Sequence, residues 1–287
     1  MNTIQISNVT KEYKNNVKGL ENVSFSIGSG VFGLLGHNGA GKTTLMKAMA
    51  TIIKPTRGNI VINGMDSIKD GDGVRKIIGY LPQELTMYPN LTAFDFVSYM
   101  AELKGISNKA EVLNALEQVD MQEFKKRKIS QLSGGMKRRI GIAQAIVGSP
   151  RILIVDEPTA GLDPTERVRF RGVISRYAKD GNTVILSTHI VEDVYQLCEN
   201  LAILRKGKLF FAGASRELTS QVRNRVKVLE ITDESELIDI QKKAVVISTT
   251  YEKKHINVRL LDEQGIFTAK PVSETLEDAY IYCMGGS

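Results

Sequence analysis

Short runs of Val, Ile and Leu alternate along most of the chain with longer segments whose apolar residues recur at spacings of three and four. That pattern predicts strands and crossover helices of a largely parallel sheet. Residues 3–10 and 23–27 read as strands of an edge sheet, joined by the polar stretch 11–18. Residues 31–35 predict a buried strand that enters a glycine loop and then a helix over 42–50, with further strands at 60–62 and 77–81. From 92 to 119 the spacing is helical throughout, which predicts an all-helical insertion, about 84–148, closed by a helix over 136–147. The sheet resumes at 152–155, 184–187 and 201–204, and Gly207 before 209–211 predicts a closing hairpin.

After residue 214 the pattern changes. Strands are expected at 226–231, 244–248 and 256–261, a helix at 235–243 and a terminal helix at 274–284. The chain thus divides into an α/β domain over 1–214, a mixed sheet with helices, an antiparallel edge sheet and the helical insertion, and a small α+β appendage over 215–287.

Composition narrows the class. With 42% hydrophobic and 24% charged residues and only 7 Pro, the chain reads as folded rather than disordered or low-complexity. No apolar stretch nears the roughly 18 residues of a membrane span, and residues 1–13 lack the basic-then-apolar order of a leader, so neither is expected. Two cysteines, Cys198 and Cys283, read as reduced thiols of a cytoplasmic protein. The net charge of +6 is uneven: residues 216–287 hold 10 basic and 12 acidic side chains, a charge of −2, which leaves +8 on the first 215. Such a segment suits nucleic acid, anionic lipid or a polyphosphate ligand, and composition alone does not choose among them.

The motifs choose. Gly36-His37-Asn38-Gly39-Ala40-Gly41-Lys42-Thr43, followed by Thr44, fits the phosphate-loop pattern between a predicted strand and a predicted helix. Glycines let the backbone wrap a triphosphate, successive N–H groups form an anion nest, and the following helix offers its positive end. Lys42 would reach the β and γ phosphates and Thr43 would offer a hydroxyl to Mg²⁺. Four apolar residues at 152–155 then end in Asp156 and Glu157. A buried strand of that kind delivers its acids to the crevice at the carboxyl ends of the sheet, Asp156 toward a metal shell and Glu157 toward an attacking water.

Leu132-Ser133-Gly134-Gly135, followed at once by Met136-Lys137-Arg138-Arg139, carries a resemblance to the ATP-binding cassette (ABC) ATPases. Ser and two Gly at a helix start form a second anion-binding N-terminus in their own right. In that family the same core binds the γ phosphate of an ATP held by the other subunit, which implies that role for Ser133, Gly134 and Gly135. The remaining family markers follow in order. Gly79 to Gln83 resembles the glutamine loop, with Gln83 touching the metal and the attacking water. Gly161-Leu162-Asp163 resembles the loop that crosses the dimer interface. Ser187-Thr188-His189 resembles the histidine switch, and Tyr13 matches the aromatic that stacks on adenine. One departure is Met136, where the commonest signature has Gln. Altered affinity or rate is expected from it.

The resemblance covers about residues 1–214 and implies a P-loop ABC ATPase core that takes ATP and Mg²⁺. It implies a subunit that dimerises around two ATP, as a homodimer or with a paralogue, and powers a separately encoded transmembrane permease at the cytoplasmic face of the cell membrane, with no nucleic-acid partner. The ending 271–285 resembles the tail of ATPase subunits of bacterial drug, peptide and lipid exporters. The alternatives are a non-transport ABC ATPase, against which the 91-residue spacing from Lys42 to Ser133 argues, and a regulatory nucleotide-binding module, for which Glu157 and His189 would be superfluous.

Overall fold

The computed structural model describes residues 3–285, and the chain divides after Ala212 into two compact units. In the first unit the strands are β1 (Ile4–Glu12), β2 (Lys18–Ile27), β3 (Gly30–Leu35), β4 (Arg57–Ile62), β5 (Met65–Asp66), β6 (Ile78–Leu81), β7 (Ile152–Asp156), β8 (Thr183–Thr188), β9 (Asn200–Arg205) and β10 (Lys208–Ala214). Its helices are α1 (Lys42–Met49), α2 (Gly71–Ile77), α3 (Ala93–Leu103), α4 (Lys109–Gln118), α5 (Gly134–Ile146), α6 (Pro164–Lys179) and α7 (Val191–Leu197).

Two sheets share one core. β2-β1-β4-β5 is antiparallel, and β10-β9-β3-β8-β7-β6 is the main sheet, parallel from β9 to β6. Between them lies α1, whose Leu45, Met46 and Met49 pack with Ile4, Ile60 and Ile62 of the edge sheet and Ile154 and Ile185 of the main one. Every residue of β7 and β8 is buried, as parallel strands covered on both faces require. The register sets Leu35 opposite Thr188 and Asp156 opposite Ser187, so β3, β7 and β8 end together. Their carboxyl ends form the crevice in which such sheets place a ligand.

The helical part begins at Ala93, and residues 84–92 form no helix. It starts there because Thr92 caps α3 by accepting from the Asp95 amide at 3.1 Å, and Asn108 caps α4 in the same way, so the helical stretch consists of two helices. The edge hairpin is longer than its apolar pattern suggested. Pairing continues out to Glu12 opposite Lys18, because an edge sheet carries polar residues on its solvent side without ending. Ile77 closes α2 rather than opening β6.

The second unit, from Gly213, holds helices α8 (Ser215–Ser220), α9 (Ser235–Gln241) and α10 (Leu276–Gly285) and strands β11 (Val226–Ile231), β12 (Val245–Tyr251), β13 (Ile256–Leu261) and β14 (Lys270–Pro271). The sheet runs β12-β13-β11-β14, antiparallel throughout. Ile231, Ile240, Ile256, Val258 and Leu260 form its apolar centre. Two buried carboxylates carry ion pairs in this unit: Arg259, itself partly exposed, grips Asp278 with two hydrogen bonds of 2.8 and 2.6 Å, and Lys227 meets Asp262 at 2.8 Å.

Candidate functional site

Lys42, Asp156, Glu157, Ser187 and His189 converge where β3, β7 and β8 end. The loop from β3 to α1 turns on glycines in the left-handed region. Gly41 has φ +105°, and a side chain there would meet the Gly19 carbonyl at 2.6 Å, so this turn admits no Cβ. The turn carries Lys42 into a buried position, 5% exposed, where its ammonium donates to the carbonyl oxygens of Gly36 at 2.6 Å and His37 at 3.3 Å. Glu157 Oε1 lies 3.0 Å from the same Nζ, a contact of charge rather than an aligned hydrogen bond.

Glu157 itself has φ +45°, a conformation that costs a non-glycine residue about 1 kcal/mol or more and persists only when its surroundings impose it. The surroundings are specific. Its amide donates to Ser187 Oγ at 3.0 Å and to the Ser187 carbonyl at 3.2 Å, while the Ser187 hydroxyl donates to Asp156 Oδ1. Glu157 Oε2 meets His189 Nδ1 at 2.8 Å. A carboxylate only accepts, so Nδ1 donates this bond, from a ring that is half-exposed. Asp156 is fully buried, and its Oδ2 has no hydrogen-bond partner. An orphaned buried carboxylate oxygen fits a hard cation such as Mg²⁺, which takes oxygen ligands.

The signature lies at the start of α5. Ser133 is its N-cap, with Oγ accepting from the Met136 amide at 3.2 Å, which leaves the hydroxyl proton free to donate. Gly134 is exposed with open space at its Cβ position, whereas Gly135 lies against the Glu166 side chain on α6. Asp163 caps α6, accepting from the Glu166 amide at 2.9 Å. The structure therefore brings the signature and the Asp163 loop together. The exposed side chains of Asn38 and Gln83 make no bond to the Lys42 cluster. Thr43 sits on the first turn of α1, and Thr44 Oγ1 lies 3.2 Å from the Tyr13 hydroxyl. The Tyr13 ring is 43% exposed.

Two residues that tie the cluster together lay outside the sequence reading. Ser187 belonged to a recognised motif but stood out only as its opening residue; in the fold it ties Asp156 to Glu157. Arg138 was one of three successive cations, and no pattern separates it from its neighbours. Its guanidinium reaches the backbone around Asp156, Glu157 and Gln83. Burial holds its pKa below the usual value, and the charges of Asp156 and Glu157 oppose that shift. Tyr80, one strand away, is pushed up to about 12 by burial and by Asp156.

A profile described as ABC transporter matches residues 20–160. Among curated proteins the chain is 34% identical to the linearmycin resistance ATP-binding protein LnrL of Bacillus subtilis, over 96% of this chain and 90% of that one. It is 32% identical to the bacitracin transport ATP-binding protein BcrA of Bacillus licheniformis, over 99% and 97%. Among solved structures, the dimeric post-hydrolysis ATP-binding cassette MJ0796 bound to ADP and Pi matches with a TM-score of 0.65 at 27% identity, over 74% of this chain and 98% of that one.

Proposed function

Since the chain belongs to the ABC transporter family and is an ATP-hydrolysing subunit of a transporter, we propose that it closes head to tail with a second subunit around two ATP molecules and drives a separate permease. Among the described residues no helix is long and apolar enough to cross a membrane. Relatives named for linearmycin resistance and bacitracin transport, matched over nearly the whole chain, support an exporter of drug, peptide or lipid-like substrates.

The observation that carries the mechanism is the Lys42–Glu157–His189 cluster at the phosphate loop. Loop amides and Lys42 neutralise the ATP phosphates, with the γ phosphate taking the place of Glu157 at Nζ. Glu157, released from that contact and held by His189, accepts the proton of the attacking water. His189 is assigned to the γ phosphate, as the resemblance to the histidine switch implies. Thr43, Asp156 and Gln83 would hold Mg²⁺, which would supply charge that neutralises the phosphates. Ser133 and the amides at 134–135 complete the site of the opposite subunit from their helix N-terminus. Tyr13 stacks on the base.

Shared sites make a definite prediction. Lys42→Ala and Ser133→Arg chains should each be nearly inactive alone, for different reasons. In a mixed dimer one site carries both defects, and the other pairs an intact phosphate loop with an intact signature. Phosphate release should return on mixing, up to one working site per mixed dimer. A silent mixture in which cross-linking detects mixed dimers would sink the shared-site reading.

A further inference from the structure

Arg138 lies five residues beyond Ser133 on α5, and every N–H of its guanidinium has a backbone carbonyl. Nε donates to Pro158 at 3.0 Å. Nη1 donates to Gln83 at 2.8 Å and Pro82 at 3.4 Å. Nη2 donates to Asp156 and to Glu157, both at 2.8 Å. A guanidinium offers five donors in a rigid planar fork, and here the fork is filled completely by two stretches of chain, 82–83 and 156–158.

Those two stretches are the ones that need fixing. Residue 157 is held at φ +45°, so its carbonyl and side chain point where an unconstrained chain would not put them. The Ser187 bonds fix the amide side of that residue, and Arg138 fixes the carbonyl side. Residues 82–83 follow β6 and form no regular element of their own, so the Arg138 bonds tie this loop to the end of β7. The neighbouring Arg139 does something different: it turns to Glu166 at 3.5 Å and to the Asp120 carbonyl at 3.1 Å.

We infer that Arg138 is a positioning residue for hydrolysis, which locks the Glu157 turn and the Gln83 loop into one rigid unit with the helix that starts at the signature. The inference rests on the reading of Glu157 as the group that activates water. It assigns to α5 a second task besides presenting Ser133: any displacement of the helix start is passed through one side chain to the backbone that carries the carboxylate. A misplacement of about 1 Å at a reacting group lowers turnover by roughly a hundredfold, whereas ground-state ATP binding, made by the loop amides and Lys42, does not pass through Arg138.

The test is a cycle on the full chain with Arg138→Lys, Glu157→Gln and the double variant. ATP affinity and single-turnover phosphate release are measured on each preparation. Lysine keeps the charge and the stem but has three donors on a flexible chain, so it does not fill the fork. The expected result is a tenfold to hundredfold lower kcat in Arg138→Lys with ATP affinity within twofold of the parent, and less than a twofold further loss when it is added to Glu157→Gln. Should the lysine variant not fold, Arg138→Gln, with two amide donors, is measured in the same way. A parental kcat in either folded variant beside an inactive Glu157→Gln overturns the inference alone. The same fold-loss with and without Glu157 also overturns it, because Arg138 would then act elsewhere. If Glu157→Gln itself keeps its turnover, the reading of Glu157 falls and this inference with it.

Discussion

Asp278 in the second unit and Asp156 in the first are equally buried, both at 0% exposure, yet their surroundings differ in kind. Both oxygens of Asp278 are taken: Arg259 grips them at 2.8 and 2.6 Å, and the Thr275 amide adds a third bond at 2.6 Å. Asp156 has one oxygen on Ser187 and one with no hydrogen-bond partner, and the next residue is Glu157 in a left-handed conformation. A buried charge whose bonds are all closed within the chain has nothing left to give a ligand. One left open, next to a strained backbone, keeps a capacity that a substrate or cation would use. On the proposed reading the difference separates a carboxylate that organises a fold from one that organises a reaction, and it is visible without reference to any motif.

The largest expected effect breaks the comparison on the first unit's side. Glu157→Gln keeps the shape of the site and removes its charge, so turnover should fall by about 10²- to 10⁴-fold. ATP binding should hold or tighten, since the carboxylate no longer competes with phosphate for Lys42, 3.0 Å away. Phosphate release and equilibrium binding on one preparation decide it. Unchanged release would mean that an open, strained carboxylate is no guide to function here.

The second unit should respond to loss of its closed pair with stability rather than activity. Arg259→Ala leaves the buried Asp278 carboxylate uncompensated, at a cost of about 3 kcal/mol, the lower end of the range because the arginine is partly exposed. Hydrogen exchange of residues 213–285 in the full chain should rise, with ATP affinity unchanged. The pH dependence sharpens this. Burial raises the Asp278 pKa, but the bonds from Arg259 and Thr275 more than offset it, so the net shift is downward; at Asp262, burial is likewise outweighed by Lys227 and the Phe267 and Ile266 amides. A pKa lower in the folded state than in the unfolded one gives stability that is present above about pH 4 and is lost as pH falls through the folded value. The second unit should therefore loosen in acid. In Arg259→Ala the lowering that this arginine contributes at Asp278 is lost while burial and the Thr275 bonds remain, so the acid sensitivity that Asp278 contributes should shrink. Equal acid sensitivity with and without Arg259 would remove the pair from the account.

What the sequence revealed follows the same division. Residues 31–35 and 152–155 are apolar without interruption because both faces of a central parallel strand are covered, and the glycine loop and paired acids at their ends were legible for that reason. Helix α6 escaped notice although its buried Phe170, Val173, Ile174 and Tyr177 stand at helical spacing, because charged residues crowd between them. The fork of Arg138 was illegible. Its acceptors are backbone carbonyls 18 to 56 residues away, and carbonyls carry no sequence signal. The pairing of Arg259 with Asp278, 19 residues apart, depends in the same way on how β13 meets the cap of α10.

The smallest effect tests whether function in the first unit extends to a residue with neither burial nor charge. Tyr13 is 43% exposed; its ring lies so close over Gly19 that a Cβ there would sit 2.7 Å from Cε2, and its hydroxyl is 3.2 Å from Thr44 Oγ1. Two different uses of the side chain are thus possible, a stacking platform or a hydroxyl contact with the start of α1, and two variants separate them. Tyr13→Ala removes the ring, and a lost aromatic stack is worth about 1 kcal/mol, or roughly fivefold in ATP affinity. Tyr13→Phe removes only the contact to Thr44 and should bind ATP as the parent does. Because every purine has a π face, GTP should weaken with ATP in the alanine variant, whereas a hydrogen-bonding role would distinguish the two bases. Equal affinity of parent and Tyr13→Ala would assign the base to another residue; a loss as large in Tyr13→Phe as in Tyr13→Ala would assign the effect to the hydroxyl and its hold on Thr44.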